Sequence, residues 1–493
     1  MTKQSYIAVD LGAESGRVML AAVDASGVFL REMHRFTNGP VRVGPTLYWD
    51  VLRLWNEIKV GLAKAIADNP DIAGVGVDTW GVDFGLLDEY GQLIGNPVHY
   101  RDARTEGVSG EFFTRLAHEK VYGLTGIQTL PFNTLFQLVA LTRRNPGALA
   151  GARHLLFIPD LLVYWLCGRM VNEYTIASTS QMLHAHTRRW APEILAAIPA
   201  PVWLFPEIVM PGTVLGPIAD DVVALPKHTN RVIPVIAVGS HDTASAVAAV
   251  PAAGEDWLFL SSGTWSLLGV EVCQPVLSPK AAQYNFTNEG GVEGRIRLLK
   301  NIAGLWPLQE CRRAWAEQGR EFDYQTLLRL AREEPARSAL LNLDDAAMLS
   351  PGDMPRKIVE QCRRTGQSVP ETPGRFTRVI LESLAARYAR VKDMLTDVTG
   401  RGFKRLHIVG GGSQNELLNQ MTADATGLEV HAGPVEATAI GNVLAQALAT
   451  GQIPSLAAGR ELVAKTALIR VYQPRETDRW QNWAATMARR EPL

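Results

Sequence analysis

The sequence lacks the excess of one charge that marks several classes of protein. Its 493 residues include 49 lysines and arginines against 50 aspartates and glutamates, so the formal net charge is −1. Nucleic-acid-binding proteins carry a large basic excess, so we do not expect nucleic acid as a partner. Because 47% of the residues are hydrophobic, intrinsic disorder is excluded as well. The length predicts roughly two to four globular domains with real hydrophobic cores.

Cysteines and long apolar runs are also scarce. The four cysteines show neither CxxC nor metal-ligand spacing, which is typical of isolated thiols in a reducing compartment. The first apolar run is interrupted at Asp10, so it does not have the pattern of a secretory signal. The most apolar segment, residues 155–167, is shorter than the roughly 20 residues of a membrane span. We therefore expect a cytoplasmic protein without a membrane partner.

Several common catalytic motifs are missing. The chain contains no Gly-Lys dipeptide, so the P-loop motif is absent. Residues 410–412 are three glycines, but the third spaced glycine of the dinucleotide fingerprint does not follow them. The metalloprotease motif HExxH and the hydrolase motif GxSxG are absent too.

What the chain does contain is small-residue turns that follow short apolar strands. Residues 6–10 predict a strand, residues 11–16 a turn and residues 17–23 a second strand, and residues 257–270 repeat this strand–turn–strand pattern. A helix with apolar residues in steps of four is predicted over residues 50–67. These patterns indicate an α/β protein made of two similar halves. We predict an N-terminal domain over residues 1–248 and a C-terminal domain over residues 249–493.

Acidic residues lie where predicted strands end. Asp242 follows the predicted core strand 232–239 and begins a helix, where a carboxylate can take the proton of a hydroxyl that attacks a γ-phosphoryl group. The alternative is that Asp242 or Ser240 only caps the helix. His241 is either a hydrogen-bonding group of a polar pocket or a satisfied histidine at a domain junction. Asp10 also ends a strand and is a candidate for holding Mg²⁺ through water, although strand-end acids are common.

Three turns have the composition of phosphate-binding loops. Residues 12–17 offer backbone N–H groups, a hydroxyl and a guanidinium, and residues 261–264 have a similar small-residue composition. Taken alone, each is interpreted as an ordinary hairpin turn, but two such hairpins in one chain favour a phosphate clamp across a cleft. Residues 410–412 either carry a nucleotide at a helix N-terminus or form a turn that needs positive φ.

Two further segments, residues 80–83 and 100–104, combine an aromatic residue with polar hydrogen-bonding groups. Sugars are bound by aromatic faces together with fixed carboxylates or amides, so both segments are candidates for a sugar site. The alternative is a buried tryptophan beside a surface pair of arginine and aspartate.

Together these segments resemble the FGGY family of carbohydrate kinases. The similarity lies in residues 8–12, 239–244, 261–264, 410–415 and 433–442, in order along nearly the whole chain. It implies two ribonuclease-H-like domains of the actin and hexokinase type that flank a catalytic cleft. The N-terminal domain would bind the sugar, the C-terminal domain would bind the nucleotide, and closure would exclude water. Many family members have a lysine in the stretch that matches residues 133–138, and this chain has none.

The resemblance also implies a role for individual residues. Further similarities, at residues 78–84, 100–105, 130–135, 287–291 and 300–306, are to family members that phosphorylate a ketose. Asp242 would be the base that deprotonates the 1-hydroxyl, and the other sugar-binding residues would be Gly81, His241, Thr243 and Asn301. The ATP-binding residues would be Ala13, Glu14, Ser15, Gly16, Arg17, Thr264, Gln309 and Gly411.

The implied ligands are therefore a small sugar, ATP and Mg²⁺, which would bridge the phosphates of ATP near Asp10. We expect a monomer. Two alternatives stay open at this point. One is a kinase for a different ketose or a polyol, and the other is a nucleotide-dependent sugar sensor without catalytic activity.

Overall fold

The chain forms two compact units in a computed structural model that describes residues 1–223 and 232–488. Unit 1 comprises Met1–Ala253, Glu271–Leu298 and Glu436–Ala467. Unit 2 comprises Gly254–Val270, Leu299–Val435 and the described residues from 468 onward. Both units are discontinuous in the sequence, because the chain returns twice to unit 1. The predicted boundary at residues 248–249 lies a few residues before Gly254, where the chain first enters unit 2. The prediction does not include the two later segments that return to unit 1.

The strands of the described residues are β1 (Gln4–Leu11), β2 (Ser15–Asp24), β3 (Gly27–Thr37), β4 (Pro40–Val43), β5 (Thr46–Trp49), β6 (Ile72–Thr79), β7 (Phe84–Leu87), β8 (His154–Phe157), β9 (Asn172–Glu173), β10 (Ile208–Val209), β11 (Val214–Pro217), β12 (Pro234–Ile236), β13 (Trp257–Ser262), β14 (Ser266–Val272), β15 (Thr287–Gly290), β16 (Ile296–Ile302), β17 (Arg405–Val409), β18 (Glu429–Ala432) and β19 (Arg470–Tyr472).

The α-helices of the same residues are α1 (Val51–Asp68), α2 (Val108–Arg115), α3 (His118–Thr125), α4 (Thr134–Arg144), α5 (Pro146–Gly151), α6 (Ile158–Cys167), α7 (Tyr174–Ser178), α8 (Pro192–Ala197), α9 (Asp242–Ala248), α10 (Pro279–Gln283), α11 (Trp306–Glu317), α12 (Tyr324–Glu333), α13 (Ala346–Leu349), α14 (Met354–Arg364), α15 (Pro373–Thr399), α16 (Glu416–Thr426), α17 (Ala437–Ala449), α18 (Leu456–Thr466) and α19 (Thr477–Ala488).

The first helix shows how the sequence pattern sets local structure. Asp50 caps α1, because its side chain accepts a hydrogen bond from the backbone N–H of Arg53 at 3.2 Å. The predicted apolar stripe, which continues in steps of four from Leu54 to Ile66, is buried along its length. The helix predicted over residues 50–67 is thus confirmed with a shift of one residue at each end.

Unit 1 is built on a six-stranded mixed sheet in the order β11-β12-β6-β1-β2-β3. The hairpin of β1 and β2 is antiparallel, as the sequence predicts, and β6 and β12 run parallel to β1. Strand β12 is shorter than the predicted strand 232–239, since only Pro234–Ile236 has strand geometry. Parallel neighbours bring the carboxyl ends of β1, β6 and β12 to the same edge of the sheet.

Unit 2 repeats this arrangement around strands β14-β13-β17-β18-β19. Strands β13 and β14 form an antiparallel hairpin, and β17 and β18 follow in parallel to β13. The edge strand β19 is antiparallel to β18. The prediction of two similar α/β halves, each opened by a hairpin, is therefore confirmed.

Helix α17 completes unit 1, although it lies near the end of the sequence. It packs on α9 so closely that a side chain at Gly441 would lie 1.7 Å from the carbonyl oxygen of Ser245. In the same helix, Gln446 donates to the carbonyl of Ile7 in β1 at 2.9 Å. Glycine is required at position 441, because only glycine allows this approach of the two backbones.

Candidate active site

Three strand ends of unit 1 converge at one edge of its sheet. Asp10 in β1 is the register partner of Asp78 in β6. The next residue of β6, Thr79, forms a parallel bridge with His241, and its N–H donates to the carbonyl of Ser240 at 2.9 Å. Asp242 follows directly as the first residue of α9. The structure thus brings Asp10, Asp78, His241 and Asp242 to one place within unit 1.

Asp242 is crowded by protein atoms but remains accessible. Its side chain is 30% exposed, so a ligand can reach the carboxylate. The Thr243 hydroxyl donates to Oδ1 of Asp242 at 3.0 Å, and Nε2 of His241 lies 3.5 Å from the same oxygen. Desolvation by the surrounding protein raises the pKa of Asp242, His241 opposes this shift, and the charge of Asp10 adds to it. An accessible carboxylate with a raised pKa is a better proton acceptor than an ordinary aspartate.

The alternative that Asp242 or Ser240 caps the helix is wrong. His241 is the N-cap residue of α9, and its side chain makes no capping hydrogen bond. Ser240 is buried, and its hydroxyl is nearest to the carbonyl of Val238. The Asp242 carboxylate therefore needs another explanation than helix capping.

His241 is enclosed by charged groups on both sides of its ring. Nη2 of Arg297 lies 3.1 Å from Nδ1, and Oε2 of Glu289 lies 3.3 Å from the same nitrogen. Nε2, on the other side, faces Asp242. Both interpretations in the sequence analysis were incomplete, because His241 is held by hydrogen bonding and also contacts the candidate base.

Glu173 fixes the backbone that leads into Asp242. Its Oε2 accepts the N–H of Ser240 at 3.2 Å and the hydroxyl of Thr175 at 2.5 Å. The same Thr175 hydroxyl oxygen accepts the N–H of His241 at 3.2 Å. Glu173 is buried, and this desolvation raises its pKa to about 7. The segment 240–242 is thus tied to a buried carboxyl on a different part of unit 1.

Arg17 joins Asp10 to a residue from the end of the chain. Its Nε and Nη2 both donate to Oδ2 of Asp10, at 2.9 and 2.8 Å, and Nη1 pairs with Glu436. Burial disfavours the charge of Arg17, but the two acids outweigh it and raise the pKa of the guanidinium. The predicted phosphate ligand therefore also orients Asp10. The neighbouring residues Ala13 and Glu14 form the turn between β1 and β2, and Ser15 and Gly16 begin β2.

Asp78 is the least accessible acid of the group. It is fully buried, and Asn442 of α17 donates to its Oδ2 at 2.6 Å. Its Oδ1 has no hydrogen-bond partner in the part of the chain that the structure describes. Desolvation and the charge of Asp10 raise the pKa of Asp78 well above its ordinary value. Asp78 is therefore suited to hold a proton beside Asp10 rather than a second negative charge.

Gly81 lies beside the candidate base. A side-chain carbon at this position would lie 3.4 Å from Nε2 of His241 and 3.4 Å from the hydroxyl of Thr179. The next residue, Val82, has φ of 66°, which is strained for a β-branched residue. Thr134 holds this backbone by donating its hydroxyl to the Val82 carbonyl at 2.7 Å. The loop is thus held against the site rather than left to move.

A buried aromatic layer supports that loop. Asp83 accepts hydrogen bonds from the indole N–H groups of Trp49 at 2.6 Å and Trp80 at 3.1 Å, and from the amide of Gln137 at 2.9 Å. The two indole rings lie 3.9 Å apart. Burial raises the pKa of Asp83 to about 6, although these donors oppose the shift.

The alternative interpretation of residues 100–104 as carrying a surface pair is wrong. Asp102 and Arg104 are both buried. Asp102 accepts the backbone N–H groups of Leu47 and Arg104, each at 2.9 Å, while Nη2 of Arg104 donates to Gln137 at 2.6 Å. Gln137 also donates to Asp83, so residues 100–104 are linked through Gln137 to the loop that carries Gly81.

Unit 2 places two predicted nucleotide ligands together. The amide of Gln309 in α11 donates to the hydroxyl of Thr264 at 3.1 Å. The turn 263–265 rests on the start of α11, where the N–H of Leu305 donates to Gly263 and the N–H of Trp306 to Thr264. The turn between β13 and β14 is thus fixed by the helix that carries Gln309.

The three glycines after β17 form a tight turn. Gly410 has φ of 84°, and residues Gly411–Gln414 form one 3₁₀ turn before α16 begins at Glu416. The hypothesis of a turn that needs positive φ is correct for Gly410. A side-chain carbon at Gly412 would lie 2.1 Å from the Ser262 hydroxyl, whereas one at Gly411 would meet no described atom within 4 Å. Gly411 therefore borders open space.

Asn301 lies on β16 within unit 2 and is partly exposed. The predicted residues are thus distributed over both units. Asp10, Ala13 to Arg17, Gly81 and His241 to Thr243 belong to unit 1, while Thr264, Asn301, Gln309 and Gly411 belong to unit 2.

The donor set is compatible with a magnesium ion that keeps most of its water. Among residues 1–223 and 232–488, no cluster of three or more histidine, cysteine or acidic side chains is arranged to hold a metal. Mg²⁺ typically binds one or two carboxylates together with substrate phosphates, so a closed cage is not needed. Asp10 fits this role, because its position is fixed by Arg17.

Among residues 1–223 and 232–488, no helix is both long and apolar enough to cross a bilayer.

Five residues of this site were not predicted from the sequence. They are acids, an amide and an arginine that act on the predicted residues from distant parts of the chain: Glu173, Glu289, Arg297, Glu436 and Asn442. Residues 287–291 and 433–442 carried part of the family resemblance, so Glu289, Glu436 and Asn442 had a signal in the sequence but no role. Glu173 and Arg297 had none that pattern or spacing detects.

Comparison with family models and named proteins places this site in context. The model described as "FGGY family of carbohydrate kinases, N-terminal domain" matches residues 5–249, and the model of the C-terminal domain matches residues 258–450. The rhamnulokinase of Bacteroides thetaiotaomicron is 47% identical over 480 residues, which cover 97% of both chains. The rhamnulokinase of Enterococcus faecalis is 42% identical over 97% of this chain and 95% of its own.

Solved structures support the fold independently. The gluconate kinase of Lactobacillus acidophilus superimposes with a TM-score of 0.79 at 16% identity, over 99% of this chain and 97% of its own. The glycerol kinase of Plasmodium falciparum with ADP gives a TM-score of 0.78 at 15% identity, over 99% of both chains. The predicted α/β fold with two domains of the actin and hexokinase type is confirmed.

Proposed function

Because the chain belongs to the FGGY family of carbohydrate kinases, we propose that it phosphorylates L-rhamnulose at the 1-hydroxyl in L-rhamnose catabolism. ATP is the phosphoryl donor, and the products are L-rhamnulose 1-phosphate and ADP. One observation carries the choice of sugar. Relatives named rhamnulokinase share 42–47% of their residues with this chain over nearly its whole length.

The geometry of unit 1 supports Asp242 as the base. The Thr243 hydroxyl and Nε2 of His241 both lie against Oδ1, and the side chain is partly exposed, so a sugar hydroxyl can reach the carboxylate. As the sugar oxygen bonds to the γ-phosphorus, its proton passes to the carboxylate, and the bond between that phosphorus and the β–γ bridging oxygen breaks. The raised pKa of Asp242 favours this proton transfer.

The remaining groups of unit 1 suit recognition of the sugar. Gly81 has no side chain, which leaves room for a ligand beside Nε2 of His241. His241 and Thr243 each offer a polar atom next to the carboxylate that takes the proton. Asn301 is proposed as a further sugar ligand on the strength of the family resemblance.

Phosphate binding is assigned to polar groups on turns and on α11. In unit 2 the Thr264 hydroxyl, the Gln309 amide and the open backbone at Gly411 are proposed to hold the nucleotide without adding charge. Ala13 to Arg17 of unit 1 are also proposed as nucleotide ligands, and among them Arg17 supplies a positive charge. Asp10 would be the carboxylate that holds Mg²⁺ through water, and Arg17 fixes the orientation of the Asp10 carboxylate. Mg²⁺ supplies charge neutralisation on the β- and γ-phosphates when it is bound. We further propose a monomeric enzyme of the cytoplasm.

A panel of ketoses tests the choice of substrate. The purified protein is assayed for ADP release with ATP, Mg²⁺ and L-rhamnulose, L-fuculose, L-ribulose or L-xylulose. We expect the highest kcat/KM for L-rhamnulose. The advantage over a sugar that lacks its methyl group is about 10- to 200-fold, since one methyl group discriminates by about 1–3 kcal/mol.

The Asp242→Asn variant, prepared in parallel, is the control for contaminating kinases. A higher kcat/KM for another ketose would replace L-rhamnulose and keep the kinase. If no sugar in the panel stimulates ATP turnover, the chain is a sugar and nucleotide sensor, and the proposed reaction is wrong.

A further inference from the structure

Arg297 is a buried arginine whose contacts are directed at the candidate site. Its side chain is 0% exposed, which is rare for arginine without a specific partner. Nε donates to the carbonyl of Gly290 at 2.8 Å, which fixes the plane of the guanidinium. Nη2 then lies 3.2 Å from Oε2 of Glu289 and 3.1 Å from Nδ1 of His241. Arg297 therefore contacts the histidine that precedes the candidate base.

The chemistry of these groups determines which ring nitrogen of His241 carries a proton. A guanidinium has only N–H donors, so a hydrogen bond from Nη2 requires a lone pair on Nδ1. In a neutral imidazole the proton must then be on Nε2. Nε2 is the atom that lies 3.5 Å from Asp242 and next to Gly81. The N–H of His241 is thus directed to where a sugar hydroxyl would meet the base.

We propose that Arg297 is a positioning residue that holds His241 in its Nε2–H tautomer and so presents an N–H donor beside Asp242. This proposal rests on the proposed function only for its effect on catalysis. The tautomer itself is a property of the protein without ligands.

Glu289 has a different part in this arrangement. It is buried and lies within 3.3 Å of both Arg297 and His241, so its charge balances the guanidinium. Its Oε2 can also accept a proton-bearing Nδ1. If Arg297 is removed, Glu289 is the remaining partner of Nδ1 and draws the proton from Nε2 to Nδ1. Nε2, which faces Asp242, then carries a lone pair in place of its N–H. The lone pair repels the carboxylate, and the ring can no longer donate a hydrogen bond to the sugar.

The tautomer can be measured directly. We propose long-range ¹H–¹⁵N correlation spectra of perdeuterated protein labelled with [¹⁵N]histidine, without ligands, with the His241→Gln variant used to assign the His241 signals. In the wild type we expect a protonated Nε2 and an unprotonated Nδ1. In Arg297→Met we expect the proton on Nδ1. This readout does not depend on which sugar is the substrate, so it separates failure of the proposal from failure of the proposed function.

Kinetics give the second readout. Partners that orient a metal ligand commonly change activity by about 10- to 100-fold, and we expect a fall in kcat of that size for Arg297→Met, with the KM for ATP unchanged. The matched control is Arg188→Met, since Arg188 donates to the nearby Gly294 carbonyl at 2.8 Å and makes no described contact with His241. We expect the control to keep both the tautomer and kcat.

A double variant guards against misfolding. Glu289→Gln combined with Arg297→Met leaves no uncompensated buried charge, and the amide at position 289 can either accept from Nδ1 or donate to it. We expect kcat to follow the tautomer in this variant: kcat is low if the proton is on Nδ1 and close to the wild-type value if the proton is on Nε2. The proposal is overturned if wild-type His241 carries its proton on Nδ1, if Arg297→Met keeps Nε2–H, or if kcat and the tautomer do not change together. It is also overturned if kcat falls equally in Arg188→Met.

Discussion

The two units have the same strand pattern but opposite chemistry at the ends of their strands. In unit 1 the ends of β1 and β6 carry Asp10 and Asp78, and Asp242 follows β12. In unit 2 the corresponding end of β13 is Ser262, and β17 ends in a turn of glycines. One topology therefore supports an acidic site in one unit and a neutral site in the other.

This difference fits two separate tasks. Acids whose pKa values are raised accept or hold protons more readily than ordinary aspartates, which is what deprotonation of a hydroxyl nucleophile needs. An anionic nucleotide is better served by backbone N–H groups and hydroxyls, since an acid there would repel phosphate. We infer that proton transfer is confined to unit 1, whereas the phosphate ligands of unit 2 are all neutral, and three predictions test this division.

The largest effect is expected from Asp242→Asn in unit 1. Asparagine keeps the size of the side chain but cannot take the proton of the sugar hydroxyl. We expect kcat to fall by about 10²- to 10⁴-fold. The KM for ATP should stay within about twofold, because no nucleotide ligand of unit 2 is changed. Steady-state kinetics with varied ATP, together with ATP titration by calorimetry, measure both quantities.

The matched variant in unit 2 is Thr264→Val. It removes the hydroxyl that accepts a hydrogen bond from the Gln309 amide. We expect a raised KM for ATP with kcat largely kept. If Asp242→Asn retains near-wild-type kcat, the carboxylate is not the base. A weakening of ATP binding by Asp242→Asn would show that the two tasks are not divided.

A smaller effect is expected from a pair of neighbouring glycines in unit 2. In Gly411→Ala the added methyl group meets no described atom within 4 Å, so the fold tolerates it and the methyl occupies space proposed for the nucleotide. We expect the KM for ATP to rise by about tenfold, equivalent to about 1.4 kcal/mol, with Tm unchanged. Sugar binding in unit 1 should not change.

Gly412→Ala is the control for this pair. Its methyl group would lie 2.1 Å from the Ser262 hydroxyl, so we expect a lower Tm instead of a selective change in ATP binding. Calorimetric scans and ATP kinetics on both variants separate the two results. Equal losses of Tm would mean that Gly411 is needed for the turn and not for the nucleotide.

The sequence predicted the scaffold better than the site. Hairpins and helix α1 were readable because local alternation and a four-residue period determine them. Asp242 was readable because it lies at the junction of a strand and a helix. The predicted extent of β12 was too long, since Val238 and Gly239 already turn toward α9 and the Ser245 hydroxyl donates to the Gly239 carbonyl. Local hydrophobicity does not detect such a turn.

The residues that hold the predicted site residues in place could not be predicted from the sequence, for a different reason. Asn442 reaches Asp78 across 364 positions of sequence, and Glu173 reaches Ser240 across 67. Contacts of this kind depend on how helices and strands pack, and no periodicity records them. Arg297 is the clearest case, because an arginine within an apolar strand looks like an exposed position until its burial is seen.

The smallest effect concerns stability and pH. Burial raises the pKa of Glu173 in unit 1 from 4.5 to about 7. Between these values the folded protein keeps a proton that the unfolded chain has released, so this group lowers stability as pH rises from about 4.5 to about 7. We expect Glu173→Gln to remove part of that decline. Between pH 4.5 and 7 the Tm of the variant should fall by several degrees less than the Tm of the wild type.

Asp256 in unit 2 is the control, because its pKa is shifted in the opposite direction to that of Glu173. Hydrogen bonding from Arg405 lowers the pKa of Asp256 from 3.8, so its contribution to stability is present above that value and lost as pH falls below it. Asp256→Asn should therefore lower Tm by a constant amount between pH 4.5 and 7, with no change of slope there, and the difference from wild type should shrink only in more acidic buffers. Differential scanning calorimetry of both variants from pH 3 to pH 8 measures the two slopes. If Glu173→Gln and Asp256→Asn change the same part of the profile, buried acids are not what distinguishes the two units, and the division of tasks must rest on the neutral turns of unit 2 alone.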